Sequence, residues 1–178
     1  MKRFYLDTNV FLARYAPSEK EHDSSTRLLN AVEDGGIRAI TSPLTLVEIA
    51  SVVRRSHEKF AEKMSPADAA GAFVRRALSL KNLSFVPIGG EMTLKGSMPP
   101  VRVPMLYTAA FRAVRSLPLK ALDLLHIASA YVAVRLFGEE LDYFTTLDEG
   151  ILDQAKQVRE FLGSPAVTPS ETVRLEGL

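Results

Sequence analysis

Four apolar runs, at residues 4–6, 38–41, 84–88 and 143–146, are too short for self-standing helices, and helix-length segments lie between them. A short apolar run bounded by turn residues marks a strand covered on both faces. Strands separated in this way pair in parallel, because each connection carries the chain back to the same starting edge of the sheet. The expectation is an α/β fold of three layers, α/β/α, with a central, mainly parallel sheet of four to five strands.

The helices announce themselves by their end signals. Residues 19–32 set Leu28, Leu29 and Val32 at helical spacing and stop at Gly35-Gly36. Ser42-Pro43 opens a helix that runs to about His57, with Ser as N-cap and Pro in the first turn, where a missing N–H costs nothing. Ser65-Pro66-Ala67-Asp68 repeats the signal and leads a helix to about Leu80. The Gly/Pro-rich stretch 89–104 predicts a loop with a short helical turn near Met92. Helices follow at 105–116, at 120–137, which is nearly apolar all round and closes at Gly138, and at 149–161. The tail, 161–178, holds Pro165 and Pro169 and reads as irregular chain or a short edge strand, so residues 1–178 are expected to form one domain.

Composition narrows the chemistry. With no cysteine, there is no disulfide, no Cys-ligated metal and no thiol nucleophile. The N-terminal dozen carries Asp7 inside its apolar stretch and reads as a strand instead of a signal peptide. No apolar run approaches the ~18 residues of a membrane span, so a cytoplasmic protein without a membrane partner is expected. The net charge of +1 offers no bulk argument for nucleic-acid binding, yet it hides a polarised chain: residues 1–60 sum to +1, 61–120 to +6 and 121–178 to −6. Two differently charged solvated faces and a functional gradient both fit that pattern.

Ligands of parallel sheets bind beyond the carboxyl ends of the strands, which directs attention to four acids. Asp7 directly follows the first strand and either caps the next helix or serves a site. Glu48 lies one and a half turns into the Ser42-Pro43 helix, either on a solvent stripe with Ser51 and Arg55 or pointing along the sheet edge. Asp123 interrupts the otherwise apolar Ala121–Ala128 stretch, where a buried carboxylate needs a metal ion or a cation such as Lys120 beside it. Asp148 again sits between a strand and a helix, as a cap or as a repeat of the Asp7 placement. Gathered at one rim, the four would repel one another unless hard divalent cations neutralised them. Such a site activates water and stabilises charge on a phosphodiester.

The stretches carrying these acids, L-D-T-N at 6–9, S-P-L-T-L-V-E at 42–48, L-K-A-L-D-L-L-H-I-A at 119–128 and F-T-T-L-D at 144–148, resemble the PIN-domain nucleases. The match is closest to the VapC-type toxins of bacterial toxin–antitoxin pairs and covers roughly residues 1–160. The resemblance implies an Mg²⁺- or Mn²⁺-dependent endoribonuclease in which Asp7, Glu48, Asp123 and Asp148 form the catalytic, metal-holding cluster, with Asn9 and Thr146 supporting it by hydrogen bonds. It further implies an RNA substrate, a small cognate antitoxin and a homodimer. The long Gly/Pro-rich segment 81–104 departs from compact members of the family.

Other residues stay open at this point. His126 lies one turn beyond Asp123 and is read as a satisfied buried histidine in preference to a metal or phosphate contact. Arg14 is either a phosphate or carboxylate clamp facing the cleft or a surface arginine. The pairs Arg54/Arg55 and Arg75/Arg76, with Arg112 and Arg115, read as solvated helix faces, some of which could line an RNA groove. A haloacid-dehalogenase-type phosphatase also begins with a strand-end Asp, but needs a second Asp where Asn9 stands. A non-catalytic PIN-like module binding RNA or protein is the remaining alternative.

Overall fold

The structure, a computed structural model, describes residues 1–61, 63–87, 89–93 and 101–178. Its strands are β1 (Arg3–Leu6), β2 (Arg38–Thr41), β3 (Leu83–Phe85), β4 (Glu91–Thr93), β5 (Arg102–Pro104), β6 (Tyr143–Thr145) and β7 (Ala166–Val167). Its helices are α1 (Thr8–Tyr15), α2 (His22–Glu33), α3 (Leu44–Arg55), α4 (His57–Ala61), α5 (Pro66–Leu78), α6 (Met105–Ala113), α7 (Ala121–Leu136), α8 (Glu149–Asp153), α9 (Ala155–Leu162) and α10 (Pro169–Glu176). Five strands form one sheet in the order β3-β2-β1-β6-β7, every neighbouring pair parallel. The expected α/β/α architecture is what the chain adopts.

Strand β1 explains why. Phe4, Tyr5 and Leu6 are all fully buried, and side chains alternate across a strand, so both faces of the sheet centre must be covered. Phe4 and Leu6 pack with Val10 and Phe11 of α1, Leu28 and Leu29 of α2, Ile49 of α3 and Ala69 of α5. Tyr5 points into the opposite layer, with residues of α6, α7 and α9, and stacks on Phe144 with ring centroids 4.8 Å apart. Each such large side chain contributes about 1.5–3 kcal/mol relative to exposure, which holds β1 at the centre.

From β1 the chain steps outward to β2 and β3 on one side, then returns to place β6 and β7 on the other. The reversal falls between β1 and β6, and in open parallel sheets the crevice at that point, beyond the carboxyl ends, is where ligands bind. Leu6 pairs with Thr145 in register, so the residues that follow, Asp7 and Thr146, emerge side by side.

Several expected boundaries shift. Helix α2 begins at His22, three residues later than its periodicity suggested. The third strand is Leu83–Phe85 instead of 84–88, and Ile88 lies outside the described residues. No helical turn forms near Met92: Glu91–Thr93 pairs antiparallel with Arg102–Pro104, a hairpin beside α6, with residues 94–100 outside the described set. The last expected helix is two, α8 and α9, broken at Gln154, whose φ of −102° and ψ of 18° leave the helical region. The tail supplies the anticipated edge strand β7 and then helix α10, which was not anticipated. Pro169 occupies the first turn of this helix, where its missing N–H costs nothing, and Thr168 and Glu171 complete a reciprocal capping box.

Candidate active site

At the carboxyl edge, the loop after β6 is tied to the start of α1 through one hydroxyl. Thr146 is fully buried and its Oγ1 donates to Asp7 Oδ2 at 2.6 Å. The same oxygen accepts the backbone N–H of Asp148 at 3.0 Å and the Asn9 side-chain N–H at 3.4 Å. Asn9 closes the bracket by accepting the Leu147 N–H on its Oδ1 at 3.0 Å. Thr146 thus bonds the Asp7 carboxylate directly, whereas Asn9 reaches the acids only through Thr146 and the Leu147 amide. The capping reading of both strand-end aspartates holds: Asp7 caps α1 by accepting the Thr8 N–H at 2.7 Å, and Asp148 caps α8 by accepting the Ile151 N–H at 3.1 Å. Gly150 leaves Asp148 its space, since a Cβ there would stand 3.0 Å from Asp148 Oδ1.

Asp123 stands at the first turn of α7, half-buried instead of buried as its apolar neighbours suggested. Among the described residues its carboxylate accepts no hydrogen bond, which leaves both oxygens free. Burial and then the charges of Asp148 and Asp7 push its pKa up, against the weaker pull of Lys120 and His126. Asp7 is also raised, chiefly by burial, although His126, Thr146 and the Thr8 amide oppose the shift.

Glu48 keeps the helix face it shares with Ser51 and Arg55, and all three line one cavity, but its carboxylate turns inward against Thr8 and His126. The Thr8 hydroxyl donates to Glu48 Oε2, and His126 Nε2 stands 2.7 Å from the same oxygen. Half-burial resists ionisation of Glu48, but these two donors outweigh it and hold its carboxyl below the usual range. His126 in turn is buried, which alone would lower its pKa, yet Glu48, Asp7 and Asp123 together raise it above the usual value. Its other nitrogen, Nδ1, lies 2.9 Å from the Tyr5 hydroxyl.

All four acids line one cavity of about 330 Å³, together with Asn9, His126 and Arg55. A second cavity of about 990 Å³ shares Asp123, Asp148 and Asn9 and continues past Lys20, Lys59 and Lys120. Among the described residues, no three His, Asp or Glu side chains converge into a ready metal cage. Arg14 does not face the cavity; its guanidinium reaches Asn30 at 2.9 Å and Glu33 at 3.3 Å on α2. The participants that sequence reasoning passed over are Thr8 and Tyr5, both hidden by being apolar-run or turn residues.

A sequence model of the PIN domain matches residues 4–157. The chain belongs to the PIN-domain family. In this PIN domain, the matched span runs from β1 into α9 and contains every acid of the cavity. Among solved structures, VapBC2 from Rickettsia felis, bound to a DNA fragment from its promoter, shares the fold with a TM-score of 0.56 at 12% identity, over 93% of this chain and 98% of that chain. VapC20 of Mycobacterium tuberculosis, a sarcin–ricin-loop-cleaving toxin, aligns with a TM-score of 0.49 at 15% identity, over 79% of this chain and 86% of that one. No curated protein matches the chain in sequence.

Proposed function

We propose that this PIN domain is a divalent-metal-dependent endoribonuclease and the toxin of a toxin–antitoxin pair. The observation that carries the reading is the convergence of Asp7, Glu48, Asp123 and Asp148 on one cavity at the sheet's switch point. The donor set fits Mg²⁺ or Mn²⁺: all oxygen, anionic, and with Asp123 free of hydrogen bonds, while Mg²⁺ typically needs only one or two direct carboxylates beside its waters. Asp7, Asp123 and Asp148, with Glu48, would hold the ion. Bound there, it would supply water activation and charge stabilisation on a phosphodiester.

The chain's own contribution is arrangement. Thr146 and Asn9 lock the two strand-end aspartates in one hydrogen-bonded bracket, and Thr8 orients Glu48. Lys20 and Lys120 in the adjoining cavity, and Arg55 in the acid cavity itself, offer cations to RNA phosphates, the contacts that dominate nucleic-acid affinity, whereas Lys59 is ion-paired with Glu19. The VapC-type motifs support a small antitoxin and a homodimer as partners, a single domain over residues 1–178, and a cytoplasmic site of action. No helix among the described residues is long and apolar enough to cross a membrane.

The test is cleavage of a mixed RNA pool with Mg²⁺ or Mn²⁺, beside EDTA and Asp7→Asn controls, on protein freed of any co-purified antitoxin. Cleavage abolished by both controls is expected. Cleavage that survives both would refute a metal nuclease, and no cleavage at all would favour the non-catalytic module.

A further inference from the structure

Glu48 is the one acid of the four that is not positioned by its own backbone neighbourhood. Asp7 and Asp148 are held as helix caps, and Asp123 sits rigidly in the first turn of α7. Glu48 has a longer side chain, with more rotamers to lose, and projects from the second turn of α3 toward another element. What meets it there is the imidazole of His126, 2% exposed and set in the wall of α7. An ionised carboxylate can only accept hydrogen bonds, so the proton on the 2.7 Å line between them resides on His126 Nε2.

The ring is itself held from behind. Tyr5, fully buried in the central strand, places its hydroxyl 2.9 Å from His126 Nδ1. Partnering one ring nitrogen fixes both the ring's orientation and the placement of the proton on the other. At Nε2, the Thr8 hydroxyl at 3.3 Å and Asp7 Oδ1 at 3.6 Å stand farther off than Glu48 Oε2 at 2.7 Å, so Glu48 is the nearest partner there. The result is a line from the sheet centre to the cavity: Tyr5, His126, Glu48. It occupies Glu48 Oε2, and Oε1 accepts no hydrogen bond among the described residues.

We propose that His126, anchored by Tyr5, is a positioning residue that fixes the Glu48 carboxylate so that its second oxygen is presented to a divalent cation in the acid cavity. The inference rests on the metal-nuclease reading above. It assigns no direct contact between His126 and the metal or the RNA; the residue acts through Glu48.

Calorimetric titration of Mn²⁺ into RNA-free protein tests it without relying on catalysis, with melting curves in EDTA confirming that each variant is folded. His126→Leu, which fills the space without a donor, is expected to weaken Mn²⁺ binding about 10–100-fold, the usual cost of losing an outer partner of a metal ligand. His126→Gln, whose amide nitrogen can reach the Nε2 position, is expected to restore most of that affinity. In a Glu48→Gln background, His126→Leu is expected to cost little more. Wild-type affinity or tighter in folded His126→Leu, or a His126→Gln variant as weak as His126→Leu, overturns the proposal. Should His126→Leu not fold, Tyr5→Phe decides, because it removes a single oxygen: weakened Mn²⁺ binding is expected, and unchanged binding overturns the inference. Wild-type protein that neither binds Mn²⁺ nor cleaves RNA removes the nuclease reading and this inference together. Wild-type protein that does both, with His126 variants unaffected, removes the inference alone.

Discussion

Replacing Asp123 by Asn should leave the protein within about 1 kcal/mol of wild type without metal, and should cost it part of the stabilisation that metal gives wild type. Asp123 is half-buried, is repelled by Asp148 and Asp7, and has a folded-state pKa above its ordinary value. A carboxyl shifted in that direction costs folding free energy whenever it is ionised, so at neutral pH removing the charge relieves the fold. Partial exposure screens the relief to at most about 1 kcal/mol. Against it stands the loss of a negative charge in the first turn of α7, worth about 0.3–1 kcal/mol. The net change in EDTA therefore lies between about 1 kcal/mol against the variant and about 0.7 kcal/mol in its favour, or within about 4 °C in Tm either way for a chain of this size. With Mn²⁺ at one hundred times Kd, wild type gains about 2.7 kcal/mol by mass action. A tenfold weaker site at the same concentration gains only about 1.4 kcal/mol, so the Mn²⁺ shift of the variant falls short of that of wild type by about 1.3 kcal/mol. Differential scanning calorimetry in EDTA and in MnCl₂ reads both halves. A Tm loss above about 4 °C in EDTA would show that the carboxylate is structural, and parallel Mn²⁺ shifts in both proteins would remove Asp123 from the ligand set.

Other expectations follow from the same geometry. Thr146→Val keeps the shape but leaves the Asp148 N–H and one Asp7 oxygen without their partner, at a cost of about 2–3 kcal/mol in urea denaturation; Thr146→Ser should recover most of it, and a neutral Thr146→Val would refute the bracket. In EDTA, the site should stabilise the protein more at pH 6 than at pH 8. His126, raised from 6.5, contributes fully below that value and loses its contribution as pH rises through its folded pKa, while Asp7 and Asp123, raised from 3.8, add a cost that accrues from that value up to their folded pKa. Glu48, lowered from 4.5, acts oppositely and loses its contribution only as pH falls through its folded pKa, so a melting profile that rises steadily from pH 6 to 8 would contradict these shifts. Thr168→Ala should cost about 1 kcal/mol by breaking the capping box of α10, measurable by denaturation and by faster amide exchange in that helix.

The acids illustrate where sequence reasoning reaches and where it stops. The doubly buried strands and the order of the motifs are local patterns, so the parallel sheet and the rim at which Asp7 and Asp148 stand were readable before any coordinates. Helix α10 has an equally local signal, the Thr-Pro-Ser-Glu start at 168–171, which a reading of the tail as an edge strand passes over. The hairpin of β4 and β5 was hidden for a different reason: an isolated antiparallel pair in a Gly/Pro-rich stretch has little pattern of its own.

The direction of each carboxylate belongs to the other category. Glu48 has a solvent-stripe spacing, and only the approach of α7 to α3 turns it toward His126. Asp123 sits in an apolar stretch, yet its place in the first turn leaves it half-exposed with both oxygens free. Periodicity along the chain specifies which residues must leave water, because burial is an average over a face. Hydrogen bonds between residues 78 to 139 positions apart, such as Glu48 to His126 and Asp7 to Thr146, depend on how independent elements are juxtaposed, and that is decided by packing of the whole.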